Sequence, residues 1–137
     1  MKKILPASQS AIQKTKVDDH KICFSFEHFD SSDEEVCPPI FLPYYTQTLM
    51  ERLKALSAWT LKEFMNSHSK SIRAHPHTWA ETARPKGFQH VNEQLKSTPS
   101  WQFQLSGNEY GRVHGFFIGN TFYVVWLDQD HKLYPRK

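Results

Sequence analysis

The sequence predicts an α+β domain: an antiparallel four-stranded sheet with one long helix packed across it. Three observations lead there. Four short stretches, at 21–29, 101–105, 112–118 and 121–127, read as strands from their side-chain alternation and their β-branched and aromatic content. One longer stretch, 44–68, repeats apolar residues at three- and four-residue spacing. The order strand, helix, irregular segment, strand, strand, strand sets the helix apart from a terminal meander, so the helix covers one face and leaves the other face or the rim for a site.

The tail is the most sharply defined part. Gly119-Asn120 separates two apolar runs, and a two-residue connection of this kind suits a hairpin because primed turns need positive φ. Phe122, Val124 and Trp126 share one face of the last strand and Tyr123, Val125 and Leu127 the other, as in a strand covered on both sides. Upstream, 21–29 puts Ile22, Phe24 and Phe26 on one face of a half-buried strand, and the acidic run at 30–35 reads as a solvated loop. Pro43 suits the first turn of the expected helix, whose apolar stripe is Tyr45, Leu49, Leu53, Leu56, Thr60 and Phe64. In WQFQL, residues Trp101, Phe103 and Leu105 face inward. Residues 1–19, polar and without aromatics, read as a loose arm, and 20–137 as a single domain.

At 137 residues with 14% aromatics, the chain buries enough apolar surface to fold as one domain without disulfide or metal support. Its only cysteines, Cys23 and Cys37, have no metal-type spacing and are expected as reduced thiols. Met1-Lys2-Lys3-Ile4-Leu5 runs into Pro6 and polar residues, so no secretory leader is expected. No apolar run approaches the ~20 residues of a spanning helix, and a cytoplasmic protein away from membranes is the expectation. A net charge of +3 leans mildly towards an anionic partner.

Arg73, His75, His77, Trp79, Arg84 and Lys86 form the densest basic and aromatic stretch, a mixture suited to pairing phosphates and stacking bases. The same mixture also fits a surface loop anchored by its tryptophan. His75-Pro76-His77 has no further ligand at a familiar spacing, and no metal or small-molecule cofactor is expected. P-loop, dinucleotide, zincin and nucleophile-elbow motifs are all missing from the sequence.

The tail resembles that of the RelE/YoeB/ParE superfamily of small bacterial toxins. Tyr110-Gly111-Arg112-Val113-His114 matches the polar lead-in with its Arg, Gly119-Asn120 the turn, 122–127 the apolar strand, and His131-Lys132-Leu133-Tyr134 the closing segment. The tail wording also looks close to a group of small uncharacterised bacterial proteins. The likeness covers about the last fifty residues in detail and the first half by element order. The chain departs from the family in its greater length, in one expected long helix where the family shows two shorter ones, and in Asp128 and Asp130 near the close. His131 and Tyr134 stand three apart, whereas the YoeB-like branch has them adjacent.

The resemblance implies a RelE-like fold and a toxin of a toxin-antitoxin system that cleaves messenger RNA without a metal, the ribose 2′-hydroxyl attacking the adjacent phosphate. It implies RNA, on or off the ribosome, and a cognate antitoxin as partners. Arg112 would then hold phosphate charge, His131 and Tyr134 would share proton transfer and orientation, and His114 would be the alternate base. His131 and Tyr134 reach the face of Arg112 and His114 only if the tail folds back. Two rivals stand beside this reading: a non-enzymatic protein-interaction module, and an RNA binder without catalysis.

Overall fold

The computed structural model describes residues 21–106 and 111–135. The expected arm at 1–19, and Tyr110 of the lead-in, lie outside the described residues. The elements are β1 (Cys23–Ser25), α1 (Tyr45–Leu56), α2 (Leu61–Met65), β2 (His75–Pro76), a 3-10 turn at Trp79–Glu81, α3 (Glu93–Lys96), β3 (Ser100–Gln104), β4 (Arg112–Ile118) and β5 (Thr121–Asp128). The chain is α+β, but its sheet has five strands rather than four and is mixed rather than antiparallel. Its order is β1-β5-β4-β3-β2, with β1 parallel to β5 and every other pair antiparallel.

The additional strand is β2, which pairs His75 with Gln102 and Pro76 with Trp101 at the sheet edge. Proline has no N–H for a ladder, so an edge is where a sheet tolerates it. β1 is much shorter than the expected 21–29. Ser25 Oγ accepts the Glu27 N–H at 3.2 Å, and Phe29 N donates to Phe26 O at 3.1 Å, so the chain turns away and leaves Phe26 exposed.

The single long helix is replaced by two. Thr60 is extended at φ −83° and ψ 161°, its hydroxyl accepts the Glu63 N–H at 3.1 Å, and Glu63 Oε1 accepts the Thr60 N–H at 2.8 Å. This capping box starts α2 afresh. Apolar spacing carries across the break because Leu56 and Phe64 both face the core, so periodicity alone does not reveal it.

Two apolar layers sandwich the sheet. On one face Phe64 packs against Trp101, Phe103, Phe117 and Phe122 at centroid distances of 5.4–6.5 Å, with Leu49, Leu53 and Leu56 also buried in the core. On the other face Phe88 meets Trp126 at 5.0 Å and Phe116 at 6.1 Å. The acidic run is a loop exposed at Ser31, Ser32, Glu34 and Glu35, as expected, but Asp30 and Asp33 turn partly inward. Asp30 accepts the Trp126 indole N–H at 2.9 Å, Asp33 and Glu35 pair with Arg84, and Val36 and Cys37 are buried. The β4–β5 ladder slips at His114/Gly115, where Trp126 and Val124 are the successive partners and Val125 is the extra residue. A Cβ on Gly115 would lie 2.1 Å from Tyr123 O and 2.7 Å from the Phe122 ring, so only glycine fits. In the hairpin turn Gly119 takes φ 61° while Asn120 does not turn positive, the pattern of a type II′ turn.

Candidate active site

The second sheet face carries a polar ladder where an apolar one is the norm. Across β3, β4 and β5 it presents Gln102 and Gln104, then His114, then Asp128, and all four are at most 2% exposed. Asp128 organises the region. Its carboxylate accepts N–H groups from Lys132 at 2.7 Å, Leu133 at 3.0 Å and His114 Nε2 at 2.9 Å. A carboxylate only accepts, so His114 carries its proton on Nε2. Its Nδ1 then receives the Nε2–H of His77 at 3.0 Å. The result is a buried chain, Asp128–His114–His77. Burial pushes both imidazoles below the ordinary 6.5, His77 to about 2, with the neighbouring His114 and His75 adding to the shift of His77. Asp128 opposes burial at His114.

The N–H groups of Lys132 and Leu133 bend the tail back over the sheet. His131 sits in the left-handed region at φ 56°, and its N–H donates to Asp128 O at 3.3 Å. The turn brings His131 and Tyr134 to the rim of a pocket of about 250 Å³, lined also by Arg73, His75, Gln102 and Arg112. None of the six lining residues is acidic. Asp128, whose charge would oppose an approaching phosphate, is fully buried beneath the pocket and satisfied by three donors. Arg73, at φ 44°, is the other non-glycine residue with positive φ among the described residues, so both of these left-handed side-chain-bearing residues line this pocket. Such conformations cost roughly 1–2 kcal/mol each and gather at functional sites.

Each lining group has a defined setting. Arg112 is held below the ordinary guanidinium value by burial first and by Arg73 second, with Asp128 pulling the other way. The Tyr134 oxygen accepts the Thr78 N–H at 3.0 Å, which leaves its hydroxyl proton to point elsewhere, and burial raises its phenol. The Tyr134 ring lies near-parallel to His77, at 6.4 Å and 7°, and edge-on to His75 at 6.2 Å. His75 places Nδ1 3.1 Å from Pro76 O and receives the Gln102 amide N–H on Nε2 at 2.8 Å. Gln102 Oε1 and His77 Nδ1 are buried without a hydrogen-bond partner.

Five of the residues singled out in the sequence meet here: Arg73, His75, Arg112, His131 and Tyr134. His114 lies behind them, fully buried and bonded on both ring nitrogens. His77 links it to Trp79, on which it stacks at 4.4 Å and 13°. Lys86 borders a neighbouring cavity with Trp79. Arg84 stands apart, its guanidinium bound to Asp33 at 2.6 Å and Glu35 at 2.7 Å. Gln102 and Asp128 went unread as site residues, although polar residues on one face of three adjacent central strands were the available signal. Among the described residues no three His, Cys, Asp or Glu side chains gather as a metal site would require. A larger groove of about 870 Å³, lined by Leu61, Met65 and the Gly119-Asn120 turn, lies at the other end of the hairpin and offers Lys62 alone as an ionisable group. No helix among the described residues is long and apolar enough to cross a membrane. No family model, curated protein or solved structure matches the chain.

Proposed function

We propose that the Arg73–Arg112 pocket is the active site of an endoribonuclease, a RelE/YoeB-like toxin that cleaves messenger RNA by attack of the ribose 2′-hydroxyl on the adjacent phosphate. The observation that carries this reading is the convergence of two guanidiniums, two imidazoles and a phenol, contributed by segments as far apart as Arg73 and Tyr134, on one concavity without carboxylates. Guanidiniums complement the charge that builds on the phosphorane oxygens, and imidazole and phenol are the groups that move or direct protons near neutral pH. Arg112, with Arg73 beside it, holds the phosphate, and His131 and Tyr134 share proton transfer and orientation. His114, bonded on both nitrogens and sealed from solvent, does not take the base role directly. Two helices over residues 45–65, in place of the one expected there, also bear on a departure from the toxin pattern.

The test is cleavage of single-stranded RNA, with and without ribosomes, by wild type and by Arg112→Ala, alongside growth of a bacterium expressing each. Loss of one transition-state donor lowers the rate by about 10²–10³-fold. Arg112→Ala should retain the wild-type melting profile while losing cleavage and growth inhibition. No cleavage by wild type under any of these conditions defeats the enzyme reading. Equal cleavage by Arg112→Ala defeats the residue assignment alone. Salt-sensitive RNA binding without cleavage would favour the non-catalytic RNA-binding module.

A further inference from the structure

Strand register sets His75 on β2 opposite Gln102 on β3, and Gln102 opposite His114 on β4. His75 is exposed and lines the pocket, whereas Gln102 beside it is 2% exposed. A carbonyl oxygen only accepts, so His75 Nδ1, 3.1 Å from Pro76 O, carries the ring proton and Nε2 keeps a lone pair. Gln102 Nε2 lies 2.8 Å from His75 Nε2 and also 3.4 Å from Nδ1. The in-plane position between those two nitrogens belongs to Cε1–H, so the amide N–H reaches them from the face of the ring. Gln102 therefore does not occupy the in-plane lone pair of Nε2. The other polar atom of the same amide, Oε1, is buried without a hydrogen-bond partner.

We infer that His75 takes the proton of the attacking hydroxyl, and that Gln102 is its positioning residue, turning its amide over when the ring becomes charged. This role rests on the ribonuclease reading. The 2′-oxygen bonds to phosphorus as its proton passes to His75 Nε2. The bond from phosphorus to the 5′-oxygen breaks, and that oxygen takes a proton from the His131–Tyr134 side, leaving a 2′,3′-cyclic phosphate and a 5′-hydroxyl. Tyr134 suits the donor's part, because its oxygen accepts the Thr78 N–H and its phenol, raised by burial, keeps its proton. His131 belongs to the tail turn, whereas His75 stands on a paired strand, the firmer support for a base. The face of a neutral imidazole accepts an N–H, and the face of an imidazolium repels it and draws an oxygen. Rotation of the Gln102 amide exchanges N–H for Oε1 at the ring and leaves the side chain's shape unchanged. Arg73, Arg112, His131 and Tyr134 surround His75 in the pocket, with His77 and His114 behind it. None of the lining residues is acidic, and Asp128 is engaged by His114 and the tail, so Gln102 is the neighbour suited to answer a charge on the ring.

The experiment records RNA cleavage against pH for wild type, His75→Gln, His131→Gln, Gln102→Glu and Gln102→Met, and follows the His75 ring by NMR without RNA. Arg73 and Arg112 are untouched, so RNA binding should persist throughout. His75→Gln should lower cleavage by about 10²–10⁴-fold and abolish the fall in rate on the acid side, while His131→Gln keeps that fall. Gln102→Glu sets a fixed acceptor against the ring and should move the fall to higher pH by about one unit or more, with the NMR titration of His75 moving alongside. Gln102→Met keeps the length of the side chain without adding a buried charge, removes the oxygen that answers an imidazolium, and should move both to lower pH. A merely structural Gln102 would lower activity without displacing either curve. Cleavage by His75→Gln within about three-fold of wild type, with the acid-side fall intact, overturns the inference and leaves the ribonuclease reading standing. A His75 titration that moves in neither Gln102 variant removes Gln102 from its role. No cleavage by wild type, on ribosomes or off, removes the ribonuclease reading and the role of His75 with it.

Discussion

Asp128→Asn isolates the contribution of a single charge, because the side chain keeps its size and loses one acceptor. The carboxylate serves His114 Nε2 at 2.9 Å, Lys132 N at 2.7 Å and Leu133 N at 3.0 Å, with no exposure to water. An amide offers one carbonyl oxygen. Turned towards His114 and Leu133, it sets its NH₂ against the Lys132 N–H. Turned the other way, it sets NH₂ against two donors. The cheaper orientation leaves one donor unpaired, at about 1–3 kcal/mol, and weakens the other two bonds by removing their charge assistance. The expected loss is about 3 kcal/mol, read as a lower urea midpoint with an unchanged slope. Asp128→Ala, which removes every acceptor, should cost about 3–5 kcal/mol, as breaking a buried charged network does. The tail turn depends on the same two N–H groups, so backbone amide exchange at Lys132 and Leu133 should accelerate before global unfolding. A stability within about 0.5 kcal/mol of wild type, the spread of an ordinary surface substitution, would refute this account of Asp128 as the organiser of the site.

Acid should destabilise the protein well above the carboxylate range. The imidazoles of His77 and His114 have folded-state values below 6.5, so the unfolded chain binds protons that the folded chain does not, and their stabilisation is full above that pH and lost as pH falls. With its folded-state value far below this interval, His77 loses up to about 1.4 kcal/mol per pH unit, so a drop of about 2–3 kcal/mol between pH 6.5 and 4.5 is expected from it, with a loss of the same sign from His114, and a flat urea midpoint across that interval contradicts it. Below about pH 4, Asp30 and Asp33, both held below the usual value, add losses of the same sign. Leu53, 6% exposed on α1, should cost about 2–5 kcal/mol on truncation to Ala, measured by chemical denaturation; a loss under about 1 kcal/mol would mean the helix is not packed as described. Gly115→Ala forces a Cβ onto Tyr123 O and should cost about 3 kcal/mol or more, whereas Gly119→Ala, with open space and only φ 61° against it, should cost about 1–2 kcal/mol; equal melting of the two would count against the bulge geometry.

The α+β class and the β3–β4–β5 meander were legible because alternation and a Gly-Asn turn are local signals, and the observed strand bounds agree closely with those expected, but the bulge at Val125 turns Trp126 to the face opposite Phe122 and Val124. The strand pairing His75–Pro76 was not legible, since two exposed residues carry no period. The break between α1 and α2 was written in Thr60-Leu61-Lys62-Glu63 but masked by an apolar stripe that continues through it. Nothing local indicates that β1 lies parallel to β5, because that pairing is decided by packing across the whole chain. Arg112, His131 and Tyr134, singled out in the tail of the sequence, line one pocket. Their union with Arg73 and His75 depends on a fold-back driven by Asp128, whose charge reads in sequence as a surface feature and is buried in the structure.

The parallel pairing of β1 with β5 has a consequence for how the protein comes into being. Cys23 lies opposite Thr121, so β1, the first of the described strands, finds its neighbour only after about a hundred further residues have been made. The pocket keeps the same schedule, since Arg73 and His75 wait for His131 and Tyr134. Contacts this distant in sequence close slowly and late, because loop-closure entropy is paid before any of them rewards it. A chain interrupted before His131 therefore lacks two of the pocket's lining residues, and anything that needs the whole lining waits for that segment to fold back.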